Sequence, residues 1–276
     1  MSPLAGRYDA FIVDLWGVVH DGVRAFPAAV DCLERLHGQG KRILILSNAP
    51  RRAVEVAARS AEIGLPPQVC DFIMSSGEET WRHLAEHSAG ARCYHLGPAR
   101  DLGMRIGLDY QFVDDMAAAD FILNTGALSV EDTAERYDAL LRPAAARGVP
   151  MICANPDLEV IRGGKREICA GAIAARYEDL GGTVRYHGKP HPGIYRICFA
   201  LLEGIPPARI AAIGDSLRTD IAGAAAAGID SLFVTGGLQG AELGVDAAGN
   251  ADPARLAALC DAAGMHPTGA LPALQW

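Results

Sequence analysis

No apolar run in this chain approaches the roughly 20 residues that a membrane-spanning helix needs, so the sequence offers no membrane partner. Residues 1–9 lack the apolar core of a secretory signal. The seven cysteines are odd in number and form no Cys-x-x-Cys pair. They read as small core hydrophobes in a reducing compartment rather than as a disulfide framework. The histidines do not cluster at zinc-ligand spacing. Gly163-Gly164-Lys165 lacks the spacing of a phosphate-binding P-loop, and neither a GxGxxG nor a GxSxG element occurs. A dinucleotide dehydrogenase and a serine hydrolase are thereby disfavoured. Basic residues are outnumbered, 25 Lys and Arg against 33 Asp and Glu, and are scattered. That distribution excludes the basic stripe of a nucleic-acid polymer binder. A cytoplasmic protein is expected.

What is present is a long alternation of apolar runs and helical patterns. Half of the 276 residues are hydrophobic, enough for one large domain or two ordinary ones. Strands are expected at 10–13, 43–46 and 72–74, separated by helices from Pro27 and over 53–62, with a further helix over 75–87. The pattern restarts near Arg92. Strands at 93–96, 120–123 and 150–153 are followed or separated by helices over 130–147 and 169–180. It then returns to the first style. A helix over 193–203, a strand at 210–213, an Ala-rich helix to Gly228, a strand at 231–234 and a helix over 253–263 close the chain. The Pro- and Gly-rich tail from Met265 is expected to be irregular. Strands alternating with helices imply parallel sheets. The predicted fold is a doubly wound α/β unit interrupted by a second α/β unit, with breaks near residues 79 and 185.

Polar residues gather where such a sheet exposes its strand ends, the usual place for ligands. Asp14 ends the apolar run at 10–13; Ser47 and Asn48 end the next; Asp215 follows the strand at 210–213, with Asp220 in the turn beyond. Lys189 lies in a Gly-Lys-Pro turn. Carboxylates from several strands, an ammonium and a hydroxyl form a cation-and-phosphate site. Hard oxygen ligands suit Mg²⁺, and a carboxylate can attack phosphorus to give an aspartyl-phosphate.

Taken together, DLWGVV at 14–19, SN at 47–48, GKP at 188–190 and GDSLRTDIAGA at 214–224 resemble the haloacid dehalogenase superfamily. NPD at 155–157 and the helix CAGAIAARYEDLGG leading into GKP place the likeness in its class IIA, NagD-like phosphatase branch. The resemblance covers almost the whole chain. It implies a core of residues 1–79 and 185–276 and an inserted cap, 80–184, that selects substrate. It implies Asp14 as nucleophile and metal ligand, a backbone carbonyl ligand at Trp16, and phosphoryl binding by Ser47 and Asn48. Lys189 would hold nucleophile and phosphate. Asp215 would ligate the metal directly, and Asp220 through water or by orienting Lys189. The cofactor would be Mg²⁺, the substrate a small phosphorylated metabolite, and a homodimer through the cap is among the family's arrangements. Arg51, Asn155 and Asp157 are further candidates for the substrate pocket, as are Tyr94, His95 and Arg162.

The chain departs from the family at Trp16. Most family phosphatases carry an aspartate there that protonates the leaving group and then activates water. An indole N–H donates a hydrogen bond but shuttles no proton near neutral pH. Losing a general acid–base group costs about 10²–10⁴-fold in rate, or roughly 3–5 kcal/mol of barrier. Three explanations compete. His20, in the same loop, can substitute; the substrate can have a good leaving group; or the protein is a slow or inactive phosphate-binding regulator.

Overall fold

The computed structural model describes residues 1–87, 90–162 and 165–276, so Gly163 and Gly164 lie outside the described residues. In chain order the first strands are β1 (Ala10–Val13), β2 (Arg42–Ser47) and β3 (Phe72–Ser75). Helices Pro27–Gly38 and Ala53–Glu62 connect them. Helix Ser76–His87 then leads to β4 (Arg92–Leu96), β5 (Gln111–Val113), β6 (Phe121–Asn124), β7 (Met151–Cys153), β8 (Glu159–Arg162), β9 (Lys165–Ile168) and β10 (Val184–Tyr186). After helix Pro192–Leu201 come β11 (Ile210–Gly214), β12 (Asp230–Val234), helix Pro253–Ala263 and β13 (Gly269–Leu271).

The chain forms two compact units. The first comprises residues 1–47, 57–74 and 189–276. Its sheet runs β13-β12-β11-β1-β2-β3. β1 is central, parallel to both β2 and β11. Every residue of β1 is buried, as expected of a parallel strand covered on both faces. Ile12, Leu44 and Ala212 pack with Ile194, Tyr195 and Cys198 of the helix after Lys189.

The second unit comprises residues 48–56 and 75–188. Its sheet runs β10-β7-β6-β4-β5, all parallel. β8 and β9 form a separate antiparallel ribbon. The sheet is covered on both faces. Leu141 and Ile173 pack with Ile122 and Met151, whereas Leu84 and Met104 pack with Cys93, Phe121 and Leu123.

Two sequence expectations need correction, and four strands were not expected. The tail is not irregular throughout: β13 pairs parallel with β12, and Leu274 is buried. A three-residue strand at a sheet edge tolerates the proline and glycine around it, which hid it in the sequence. The helix expected over 130–147 begins only at Asp138, after a 3₁₀ turn over Ala134–Tyr137. Asp132 accepts from the Ser129 N–H and the Tyr137 hydroxyl, an alternative to helix that aspartate offers readily. The short strands β5, β8, β9 and β10 went unseen, because runs of three or four half-exposed residues carry little periodicity. Six cysteines are buried as thiols; Cys70 is half-buried. No helix among the described residues is long and apolar enough to cross a membrane.

Candidate active site

The chain leaves β1 toward β2 and β3 on one side and returns at β11 on the other. That reversal opens a crevice at the carboxyl ends of β1 and β11. Asp14 follows β1 directly, and its N–H donates to Ile213 at 2.9 Å, extending the ladder by one residue. Asp215 follows β11. Between Leu217 and Ile221 the backbone takes a single π-helical turn, a form found disproportionately at functional sites. That turn sends the Asp220 side chain back toward the strand end. Its Oδ2 accepts from the Ser216 N–H at 3.1 Å.

Asp14, Asp215 and Asp220 are all buried, and each offers an oxygen within 4.8 Å of the others. Lys189, buried among them, donates to Asp14 Oδ1, to Asp220 Oδ1 at 2.7 Å and to the Leu46 carbonyl at 3.0 Å. An ammonium has three donors, and here all three are used. Three carboxylates against one ammonium leave two net negative charges in a buried space. Burial, reinforced by the charges of Asp14 and Asp220, pushes the Asp215 carboxyl well above the ordinary aspartate range. The Leu238 N–H, 2.7 Å from Oδ2, and the Lys189 charge pull the other way. A divalent cation fits this donor set: the ligands are hard oxygens, and its charge matches the deficit.

Glycines shape the cradle. A Cβ at Gly17, whose φ is +73°, would stand 1.9 Å from Asp215 Oδ2. A Cβ at Gly237 would stand 2.2 Å from the same oxygen. Sequence reasoning missed both, although the glycine three residues beyond Asp14 was visible as a turn signal. Gly17→Ala is expected to destabilise the protein by at least the 1–2 kcal/mol of a left-handed alanine. It should also displace the Asp215 carboxylate. The check is a thermal melt with and without divalent cation, in which the variant loses the cation-induced shift.

The other candidate residues are placed as follows. Ser47 is buried at the end of β2, next to the Leu46 carbonyl that receives Lys189. In the loop after Asp14, the Trp16 ring meets His20 edge to face at 5.1 Å. His20 is buried, and its Nδ1 accepts from the Gly22 N–H at 3.1 Å. Gly22 lies hard against the indole, since a Cβ there would be 2.2 Å from the Trp16 ring. Asn48, Arg51, Asn155 and Asp157 belong to the second unit. There Asn48 Nδ2 donates to Asp157 Oδ1 at 2.9 Å, and the Asp157 N–H donates to Asn155 Oδ1 at 2.9 Å. Arg51 Nε donates to the buried Asp101 at 2.9 Å, and burial raises the Asp101 carboxyl against the pull of Arg51.

The profile of the haloacid dehalogenase-like hydrolases matches residues 11–108, and a second HAD-hydrolase-like profile matches 186–260. Human chronophin is 30% identical over 241 residues, spanning 80% of this chain and 79% of its own. A haloacid dehalogenase-like hydrolase from Brucella suis 1330 superposes with a TM-score of 0.87 at 36% identity, over 99% of this chain and 98% of that one. The chain belongs to the haloacid dehalogenase-like hydrolases. Within that family it falls in the class IIA, NagD-like phosphatase branch. A further relative in the branch is the D-glycerol 3-phosphate phosphatase of Mycobacterium tuberculosis, 27% identical over 252 residues, covering 87% of this chain and 67% of its own. A crystal structure of the glycerol phosphate phosphatase from that organism, in complex with magnesium, matches at TM-score 0.66 and 26% identity over 85% of this chain and 70% of that one. This hydrolase has the parallel α/β fold of its relatives.

Proposed function

We propose that this hydrolase is a Mg²⁺-dependent phosphatase that cleaves a small phosphorylated metabolite through a phosphoryl group carried on Asp14. The carrying observation is the buried cluster of Asp14, Asp215 and Asp220 closed by Lys189 at the β1/β11 crevice. Asp14, Asp215 and the Trp16 backbone carbonyl would hold the cation. Bound there, Mg²⁺ supplies Lewis-acid neutralisation of the phosphoryl oxygens. Asp220 acts chiefly on Lys189, to which it is bonded. Lys189 fixes one oxygen of Asp14 and places positive charge beside the phosphoryl group. Asp14 attacks phosphorus, the ester P–O bond breaks, and the leaving oxygen takes the bonding pair. Water then attacks phosphorus, releasing phosphate and regenerating the Asp14 carboxylate. Ser47 and Asn48 are assigned to the phosphoryl oxygens, and substrate choice to the inserted unit, with Asn155 and Asp157 as its candidates.

Trp16 decides which substrates suit such a site. Without a carboxylic acid at residue 16, the leaving oxygen departs as an anion unless His20 supplies the proton. The Gly22 N–H occupies His20 Nδ1, so any proton carried by the neutral ring resides on Nε2. The reading therefore favours aryl, enol or acyl phosphates over alkyl phosphates. A second reading, a slow phosphate-binding regulator on the same fold, draws its support from the same tryptophan. Thiols without a disulfide accord with a cytoplasmic setting.

The test is phosphate release from a panel of aryl and alkyl phosphates, with Mg²⁺ and with chelator. The aryl esters should turn over in a Mg²⁺-dependent way, and Asp14→Asn should lose about 10⁴-fold or more. Equal release by wild type and Asp14→Asn would leave only the regulator.

A further inference from the structure

Asp215 ends β11, but its carboxylate is held by the loop that leaves the neighbouring strand. β12 runs out into Thr235-Gly236-Gly237-Leu238-Gln239, and the Leu238 N–H donates to Asp215 Oδ2 at 2.7 Å. Gly237 brings that backbone in, since a Cβ there would stand 2.4 Å from the Asp215 Cβ as well as against Oδ2. The other oxygen, Oδ1, accepts no hydrogen bond among the described residues. One oxygen is thus fixed and the other left uncommitted.

A backbone donor is only as well placed as the loop that carries it. Glycine loses more conformational freedom on ordering than any other residue, and this loop has two in succession. At its start the loop is tied to β13 and the segment around it. The Thr235 N–H donates to the Leu271 carbonyl at 2.8 Å, Thr235 Oγ1 to the Gly249 carbonyl at 2.8 Å, and the Gly236 N–H to the Pro272 carbonyl at 3.0 Å. At its far end one side chain ties it back toward Asp215. Gln239 precedes the short helix Gly240–Leu243 without capping it; its Oε1 instead accepts from the Leu217 N–H at 3.1 Å. Leu217 opens the π-helical turn beyond Asp215 and is buried, and a buried N–H left unpaired is costly. The N–H before it, of Ser216, is already taken by Asp220. Two bonds therefore cross in opposite directions. The loop gives an N–H to the Asp215 side chain, and the turn gives an N–H to the Gln239 side chain.

We propose that Gln239 is a positioning residue for Asp215: by holding the 235–239 loop to the turn beyond β11, it keeps the Leu238 N–H on Oδ2 and the carboxylate oriented for a divalent cation. The orientation toward the cation rests on the Mg²⁺ reading given above; the clamp itself does not require the cation. Gln239 acts through Leu238 and takes no part in the chemistry.

The test compares wild type, Gln239→Met and Gln239→Glu as full chains. Methionine keeps the length and removes the acceptor; glutamate keeps an acceptor oxygen at the same reach. Amide hydrogen exchange is read first, with chelator present. In Gln239→Met the Leu238 amide should exchange about tenfold faster, while the Asp14 amide, bonded to the Ile213 carbonyl, exchanges as in wild type. Mg²⁺ titrated by calorimetry should then bind Gln239→Met about 10–100-fold more weakly. Gln239→Glu should keep the Leu238 protection and bind Mg²⁺ at least as tightly as wild type. Wild-type protection of Leu238 in Gln239→Met, equal acceleration of the Leu238 and Asp14 amides, an unchanged Mg²⁺ affinity, or a Gln239→Glu variant that fails as Gln239→Met does would each overturn the proposal. Wild type that binds no Mg²⁺ sinks the metal reading instead, and the Leu238 amide then decides the clamp alone.

Discussion

Lys189→Met is expected to cost about 3–5 kcal/mol of folding stability, the price of leaving buried charges without their partner. The side chain is buried, and its three donors go to Asp14, Asp220 and the Leu46 carbonyl. Methionine fills a similar volume, so the loss is electrostatic rather than steric. Without the ammonium, three carboxylates within 4.8 Å face one another, and at least one must take up a proton or the cluster must open. Divalent cation should restore part of the loss, because it binds the folded form alone. Urea unfolding with and without Mg²⁺ checks both statements. A change under about 1 kcal/mol would mean that the cluster is hydrated and that Lys189 is dispensable to it. Turnover should fall even at saturating Mg²⁺ and at a temperature where the variant remains folded, since Asp14 is no longer held.

Trp16→Asp is expected to raise turnover of alkyl phosphates by about 10²-fold or more, the usual worth of a general acid–base group. Aryl phosphates should gain far less, because their leaving groups need little protonation. The substitution also removes the ring that packs on His20 and Gly22, so the variant should be less stable while faster. The decisive quantity is the ratio of kcat for 4-nitrophenyl phosphate to kcat for an alkyl phosphate, which should collapse in the variant. A ratio equal to that of wild type would show that proton transfer does not limit the enzyme. His20→Ala separates the remaining case: if His20 serves as substitute acid, its removal steepens the ratio further.

The arrangement of the core was legible because its determinants are local. A continuous apolar run ending in Asp14 announces a buried parallel strand with a carboxylate at its tip, and the same grammar marks Ile210–Gly214 before Asp215. Lys189 was identifiable from its Gly-Lys-Pro turn, but its burial and its three acceptors depend on residues far apart in sequence. Arg51 reads as a solvated charge at a helix start or a substrate ligand; its partner, Asp101, is 50 residues away. The pairing of His95 with Thr125, 30 residues apart, was hidden in the same way. Gly17 and Gly237 were visible as turn residues, yet their closeness to Asp215 is a fact of packing, not of pattern. Trp16 is the converse case, a departure legible in the sequence alone, whose packing on His20 and Gly22 only the fold shows.

The most direct test of the account is whether Asp14 carries the phosphoryl group. Wild type mixed with 4-nitrophenyl phosphate and Mg²⁺, quenched in acid within the first turnover and digested, should yield the peptide containing Asp14 bearing one phosphoryl group. The modification should be removable by hydroxylamine, as an acyl phosphate is, and absent from Asp14→Asn. Phosphate release on the same timescale with that peptide unmodified, or with the phosphoryl group on another residue, would contradict it.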